Sequence, residues 1–187
     1  MTTPNKQVRA VFDDTTIRVY QAYSHPIADA ALAAGRFVAP FSLQRMTWIK
    51  PSFLWMMYRC GWTEKDPGQD RVLAIDISRE GFEWALRNAS LSHAATVDGR
   101  KPPVRVQWDP ERSIKLARLE YRSIQIGLSG PAVHKYVNEW TRCITDITPE
   151  VKRIKALLDE GRTEDARAQL PTETPYPLPS DIEAKLS

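Results

Sequence analysis

One stretch, residues 36–62, most constrains the fold, because it joins an apolar helix to positive charges that have no acidic neighbour. It reads RFVAPFSLQRMTWIKPSFLWMMYRCGW, and no Asp or Glu occurs between Asp29 and Glu64. Pro51 suits the first turn of a helix and Gly61 its end, so residues 51–60 are predicted to be helical. Because this helix is apolar nearly all round, we expect it to be central and buried.

The same stretch carries cations and large aromatic side chains in the same short span. These are Arg36, Arg45, Lys50 and Arg59 together with Trp48, Trp55, Tyr58 and Trp62. Unneutralised cations beside flat rings favour a pocket for an anionic, planar ligand, and a nucleotide fits that description. The alternative is a buried helix whose Arg and Lys heads reach the solvent.

Length and charge limit the number of domains and the kinds of partner that the chain can have. The chain has 187 residues and a formal charge of +3, which favours one globular domain at 8–170 and keeps any functional positive charge local. Four prolines follow residue 170, so 171–187 is predicted to be an extended tail. No apolar leader or run of 18 apolar residues occurs, and the two cysteines do not have the spacing of a metal-binding motif. We therefore expect a cytoplasmic protein with no membrane partner.

Alternating apolar residues predict strands at 16–23, 71–78, 104–109 and 119–128. Residues 80–89 and 132–144 have helical periodicity, 91–103 is predicted to be a long loop, and 109–112 to be a turn. The expected fold is α+β: a small, twisted, mixed or antiparallel sheet of roughly four to six strands wrapped by helices.

Polar and aromatic residues on the predicted strands extend the candidate site. The full set is Arg18, Tyr20, Gln21, Tyr23, Arg45, Trp48, Lys50, Ser52, Tyr58, Arg59, Gln107 and Gln125. Arginines can hold a pyrophosphate, rings can stack on a base, and a Gln amide can bind a hydroxyl or amide. Lys50 and Ser52 also flank a predicted helix start, which attracts phosphate. The three histidines are scattered, so we expect no metal.

Four segments resemble the DUF4291 family, a domain of unknown function. They are TIRVYQAYSHPIADAAL, FSLQRMTWIKPSFLWMMYRCGW, RVLAIDISREGF and RSIQIGLSGPAVHKYVNEW. The resemblance covers about 8–179, and its most specific motif is RMTWIKPSFLWMMYR. It implies membership of a family without implying an activity.

A weaker resemblance is to ADP-ribosyltransferase-like domains, which place an Arg or His, a Ser/Thr or Tyr, and a Glu or Gln on three strands around NAD. It implies that Arg18 matches the first position and Gln125 the last. Tyr58 or Ser52 would supply the middle element, although both lie on a predicted helix. In the last position, a Gln in place of a Glu would weaken the activation of an acceptor hydroxyl.

The leading hypothesis is therefore a nucleotide-binding protein, with NAD as the cofactor and ADP-ribosyl transfer as the activity. Arg18 and Lys50 would hold phosphates, Tyr20, Trp48 or Tyr58 would stack, and Gln125 would orient the reacting ribose. Two alternatives stay open. One is a non-catalytic module that binds RNA or DNA through the same cations and rings. The other is a structural or partner-binding protein whose aromatic stretch is simply core.

Overall fold

Nine strands and seven α-helices occur in the part of the chain that the computed structural model describes, residues 4–91 and 102–186. The predicted α+β class is confirmed. The strands are β1 (Arg9–Ala10), β2 (Thr16–Tyr23), β3 (Thr47–Ile49), β4 (Arg71–Ser78), β5 (Ala89–Leu91), β6 (Val104–Arg112), β7 (Arg118–Leu128), β8 (Thr141–Asp146) and β9 (Thr174–Pro175). The helices are α1 (His25–Ala34), α2 (Phe53–Cys60), α3 (Arg79–Arg87), α4 (Pro131–Lys135), α5 (Thr148–Asp159), α6 (Thr163–Ala168) and α7 (Ser180–Leu186).

The described strands form three sheets. β2, β4 and β8 make a three-stranded antiparallel sheet with β4 in the centre. A four-stranded mixed sheet has the order β3-β7-β6-β5, and β1 pairs with β9. The two larger sheets meet where the Tyr20 N–H donates to the Lys50 carbonyl at 2.7 Å. This backbone bridge places Lys50 at the junction of the sheets.

The sequence of β4 is an almost continuous apolar run because both faces of this strand are buried. Leu73, Ile75 and Ile77 belong to the larger core cluster, while Val72 and Ala74 face the smaller one. The smaller cluster packs α2 and α5 against the sheet. Five of the eight residues of α2 are buried, as expected for a central helix.

Several local predictions were wrong. Residues 109–112 continue β6 through a bulge instead of making a turn. The helix predicted at 132–144 is α4 followed by a π-helical turn, Tyr136–Trp140, and its last residues begin β8. The short strand β3 was not predicted. Most of the predicted loop at 91–103 lies outside the described residues.

The C-terminal residues are more ordered than an extended tail. Within residues 171–186 the chain forms the short strand β9 and then α7. Tyr176, Ile182 and Leu186 are buried in the larger core. Proline sets the extended conformation only as far as Pro179, after which the apolar spacing of α7 turns one face to the core.

Across the described residues, none of the helices has the length and apolar character needed to cross a bilayer.

Candidate functional site

An open cavity of about 820 Å³ lies where the two larger sheets meet α2. Its walls come from the end of β2, from β3 and the segment before it, from α2, from the turn at residues 66–69 with the carboxylate of Asp66, and from β6 and β7. The predicted site residues that line it are Gln21, Tyr23, Arg45, Trp48, Lys50, Arg59, Gln107 and Gln125. A volume of this size is typical of small-molecule and cofactor sites.

Three cations line this cavity, and no carboxylate among the described residues forms an ion pair with any of them. Arg45 and Arg59 are exposed, so they lie on the open side of the cavity. Lys50 is only 6% exposed and lies deeper, at the sheet junction. The site therefore has permanent charges at its opening and an amine in its interior.

The surroundings of Lys50 disfavour its charged form. Its Nζ donates to the Trp48 carbonyl oxygen at 3.1 Å and lies 5.4 Å from the centre of the Trp55 ring. Burial, and secondarily the charge of Arg59, lower the pKa of Lys50 to about 7, although Asp109 opposes the shift. The amine is thus neutral in a substantial fraction of molecules near neutral pH.

A buried polar network fixes the β2 side of the cavity. Tyr136 Oη donates to Gln21 Oε1 at 2.6 Å, and Gln21 Nε2 donates to Thr47 Oγ1 at 2.7 Å. The Tyr23 hydroxyl shares this network and lies 3.0 Å from Thr47 Oγ1. Burial raises the pKa of Tyr23 to about 12, so its hydroxyl is protonated at neutral pH. These side chains form a rigid wall.

The opposite wall presents two amide groups in a defined orientation. Gln107 and Gln125 are paired across β6 and β7. Both donate their Nε2 hydrogens to the carboxylate of Asp109, Gln107 at 3.2 Å. Because a carboxylate only accepts hydrogen bonds, this contact determines which amide atom is nitrogen. The two Oε1 atoms remain as acceptors for a ligand that carries N–H or O–H groups.

Trp55 lines the cavity and is 7% exposed. Its indole Nε1–H has no hydrogen-bond partner in the described structure, although buried donors are normally satisfied by protein, water or a ligand. Because this nitrogen is itself shielded from solvent, a ligand in the cavity does not reach it in this conformation.

Four of the predicted site residues do not line the cavity. Arg18 makes a two-point ion pair with Asp76, at 2.7 and 2.9 Å. Tyr20 is buried against Phe53 in the smaller core. Tyr58 is exposed and stacks under the Arg112 guanidinium. The structure therefore does not bring Arg18, Tyr58 and Gln125 together.

Ser52 is the fourth, and it caps α2. Its Oγ accepts from the Trp55 N–H at 3.1 Å and donates to Glu111 at 2.9 Å. The next free N–H, that of Phe53, donates to the Glu173 carboxylate at 2.7 Å. The chain's own carboxylates thus occupy the helix start that the sequence suggested as a phosphate cradle.

Sequence reasoning missed Asp109, Thr47 and the orphan indole of Trp55. Asp109 was detectable, since it alternates with Gln107 on one face of a predicted strand. Thr47 was hidden because the short strand that carries it has no alternating pattern.

These observations define a class: an α+β protein with an open, cation-lined cavity at a junction of two sheets. The chain belongs to the DUF4291 family, described as a domain of unknown function, whose family model matches residues 7–176. No curated protein matches the chain.

Proposed function

We propose that the cavity binds a phosphorylated small molecule, and that this molecule is a nucleotide. The observation that carries the proposal is that Arg45, Lys50 and Arg59 line one cavity without a carboxylate partner among the described residues. A phosphate site needs positive charge that is not paired with the protein's own carboxylates, and three such cations line the same cavity here.

The parts of the cavity suit the parts of a nucleotide. Arg45 and Arg59 supply permanent charge for the phosphates. The ring of Trp48 offers a stacking surface for a base. The amide oxygens of Gln107 and Gln125 suit an exocyclic amine or a carboxamide, which makes adenine nucleotides and NAD the first ligands to test.

The proposal concerns binding and not ADP-ribosyl transfer. A transferase site would need Arg18 near Gln125, but Arg18 is held by Asp76 and does not line the cavity. Transfer therefore stays a prediction that rests on the distant resemblance alone.

Isothermal titration calorimetry with NAD, ADP and ATP tests the proposal. Arg45→Ala and Arg59→Ala are each expected to weaken binding about 10- to 100-fold, since a hydrogen bond to a charged group contributes about 1.5–3 kcal/mol. Arg36→Ala is the matched control, because Arg36 is an exposed arginine of the same stretch that bonds Asn138 and does not line the cavity. The affinity of this control variant for nucleotides should change by less than about twofold.

Two results would overturn the proposal. One is no binding of any nucleotide to a folded protein. The other is nucleotide binding that Arg36→Ala weakens as much as the cavity variants do. Tight, strongly salt-dependent binding of a short RNA without any binding of mononucleotides would instead support the nucleic-acid alternative.

A further inference from the structure

We infer that the Lys50 amine is a nucleophile, and that it forms an imine with the aldehyde or ketone carbonyl of a phosphorylated ligand in the cavity. This inference rests on the proposed function for the phosphate-binding part of the site. It adds a covalent step. Because ADP, ATP and NAD carry no aldehyde or ketone, the ligands that take this step are a second class, phosphorylated carbonyl compounds, held by the same cations.

The first observation is the position of the amine. Lys50 is 6% exposed yet lines the cavity, so a ligand inside the cavity reaches an amine that bulk water hardly contacts. Its main chain is pinned by the hydrogen bond from the Tyr20 N–H, and its Nζ by the Trp48 carbonyl. A fixed amine is already oriented for attack on a bound carbonyl.

The second observation is the lack of a counter-ion. No carboxylate of the described chain pairs with Lys50, the Trp55 ring lies beside the amine, and Arg59 adds a like charge. Desolvation next to another cation is the environment that activates lysines for carbonyl chemistry. Burial is the main cause that lowers the pKa of Lys50 to about 7; of the titratable groups that act on it, Arg59 lowers the pKa further, while Asp109 and Cys60 oppose the shift.

The third observation is the distribution of charge in the same cavity. Arg45 and Arg59 lie exposed on the open side while the amine lies inside. A ligand whose phosphate binds the two arginines therefore points its other end inward. A carbonyl at that inner end meets the Lys50 nitrogen.

The step needs no oxidant or metal. The nitrogen lone pair forms a C–N bond to the carbonyl carbon, and the carbonyl electron pair moves to oxygen, which takes a proton. The carbinolamine then loses this oxygen as water while the nitrogen gives up its second hydrogen, so amine and carbonyl yield an imine and one water. The Trp48 carbonyl, which accepts from Nζ, helps to orient the amine for attack.

Reductive trapping tests the inference on the wild-type protein. The protein is incubated at about pH 7.5 with pyridoxal 5′-phosphate and cyanoborohydride, which reduces any imine to a stable secondary amine, and the modified lysines are mapped by mass spectrometry. At this pH about three quarters of an amine with a pKa near 7 is neutral, against about 0.1% of an ordinary lysine. Lys50 should therefore be labelled at least about tenfold faster than the exposed Lys115 and Lys152, which are internal controls in the same molecule.

Matched reagents and variants separate this inference from the proposed function. Pyridoxal without its phosphate should lose most of the preference for Lys50 over Lys115. Arg45→Ala should slow labelling of Lys50 by the phosphorylated probe, and it keeps Arg59, whose charge acts on the Lys50 pKa. If Lys50 is labelled no faster than Lys115, the inference is wrong, while nucleotide binding is still tested by calorimetry. Fast labelling of Lys50 that neither the phosphate nor Arg45→Ala affects overturns the claim of a phosphorylated ligand, and with it the proposed role of the arginines.

Discussion

Lys50 shows at the scale of one residue how position changes chemistry. The same side chain on the surface would be a hydrated cation, but at the sheet junction it is desolvated and lacks a carboxylate partner among the described residues. Its folded pKa is about 7, whereas an unfolded chain holds the proton up to about pH 10.5. The folded protein is therefore stabilised when this amine is neutral.

This difference predicts a pH-dependent stability. Between about pH 7 and 10.5 the unfolded state binds more protons than the folded state, so the contribution of Lys50 to the free energy of unfolding rises with pH. Lys50→Met removes this contribution. The variant should gain stability relative to wild type as the pH falls from about 10 to about 7, by up to about 1.4 kcal/mol per pH unit.

Urea unfolding of both proteins at a series of pH values measures that difference. Lys152→Met, which changes an exposed lysine, is the control and should run parallel to wild type. A difference between wild type and Lys50→Met that stays constant over this range would show that the amine keeps its ordinary pKa.

Single residues also mark what the sequence could and could not reveal. Three of the four cations of the acid-free stretch, Arg45, Lys50 and Arg59, line the same cavity, whereas the fourth, Arg36, does not. Arg18 looked equally free, but its partner Asp76 lies 58 positions away and directly opposite on β4. The pair forms only because the register of two antiparallel strands places these residues opposite each other, and this register cannot be read from a single sequence.

At the scale of elements, the pairing of β3 with β7 shapes the cavity. Gly127 on β7 lies opposite Trp48, and a Cβ there would come within 2.8 Å of the Met46 sulfur and 2.9 Å of the Trp48 ring. The glycine therefore accommodates these two side chains, both of which line the cavity.

Gly127→Ala should therefore weaken both binding and folding. The added methyl group would push the Trp48 ring from its place, and we expect nucleotide affinity to fall at least about fivefold. The cost in stability should stay within about 1–3 kcal/mol, as for other overpacked sites. Calorimetry and urea unfolding of the same sample measure both quantities. Unchanged affinity would show that the position of Trp48 does not matter for the ligand.

β8 is one of the strands that the sequence did not predict. Its residues follow a helix without a proline or glycine between them, and its burial pattern has no fully buried residue. A strand at the edge of a sheet needs few apolar residues, so its sequence carries little signal. The tertiary partner β4 determines its conformation.

At the scale of the whole molecule, the C-terminal segment closes the larger core. Burial of Tyr176, Ile182 and Leu186 contributes together about 5–9 kcal/mol, which is comparable to the total stability of a domain. The Tyr176 hydroxyl also bonds Glu83 at 2.8 Å and Arg79 at 2.9 Å. The chain therefore needs this segment to fold.

Ile182→Asp tests this dependence, because it places a charge at a fully buried position of α7. We expect a loss of more than about 3 kcal/mol, enough to lower the melting temperature by several degrees. Ala184→Asp adds the same charge at an exposed position two residues away and should cost less than about 1 kcal/mol. Equal melting temperatures for the two variants would mean that the segment does not belong to the core.

A crystal structure of the protein with bound ADP is the sharpest test of whether the cavity binds the phosphates of a nucleotide, since it locates them. We expect density for the phosphates in the cavity at the sheet junction, within hydrogen-bonding distance of the Arg45 and Arg59 guanidinium groups. ADP bound elsewhere on the surface, with these arginines turned away from it, would show that the cavity is not the phosphate site.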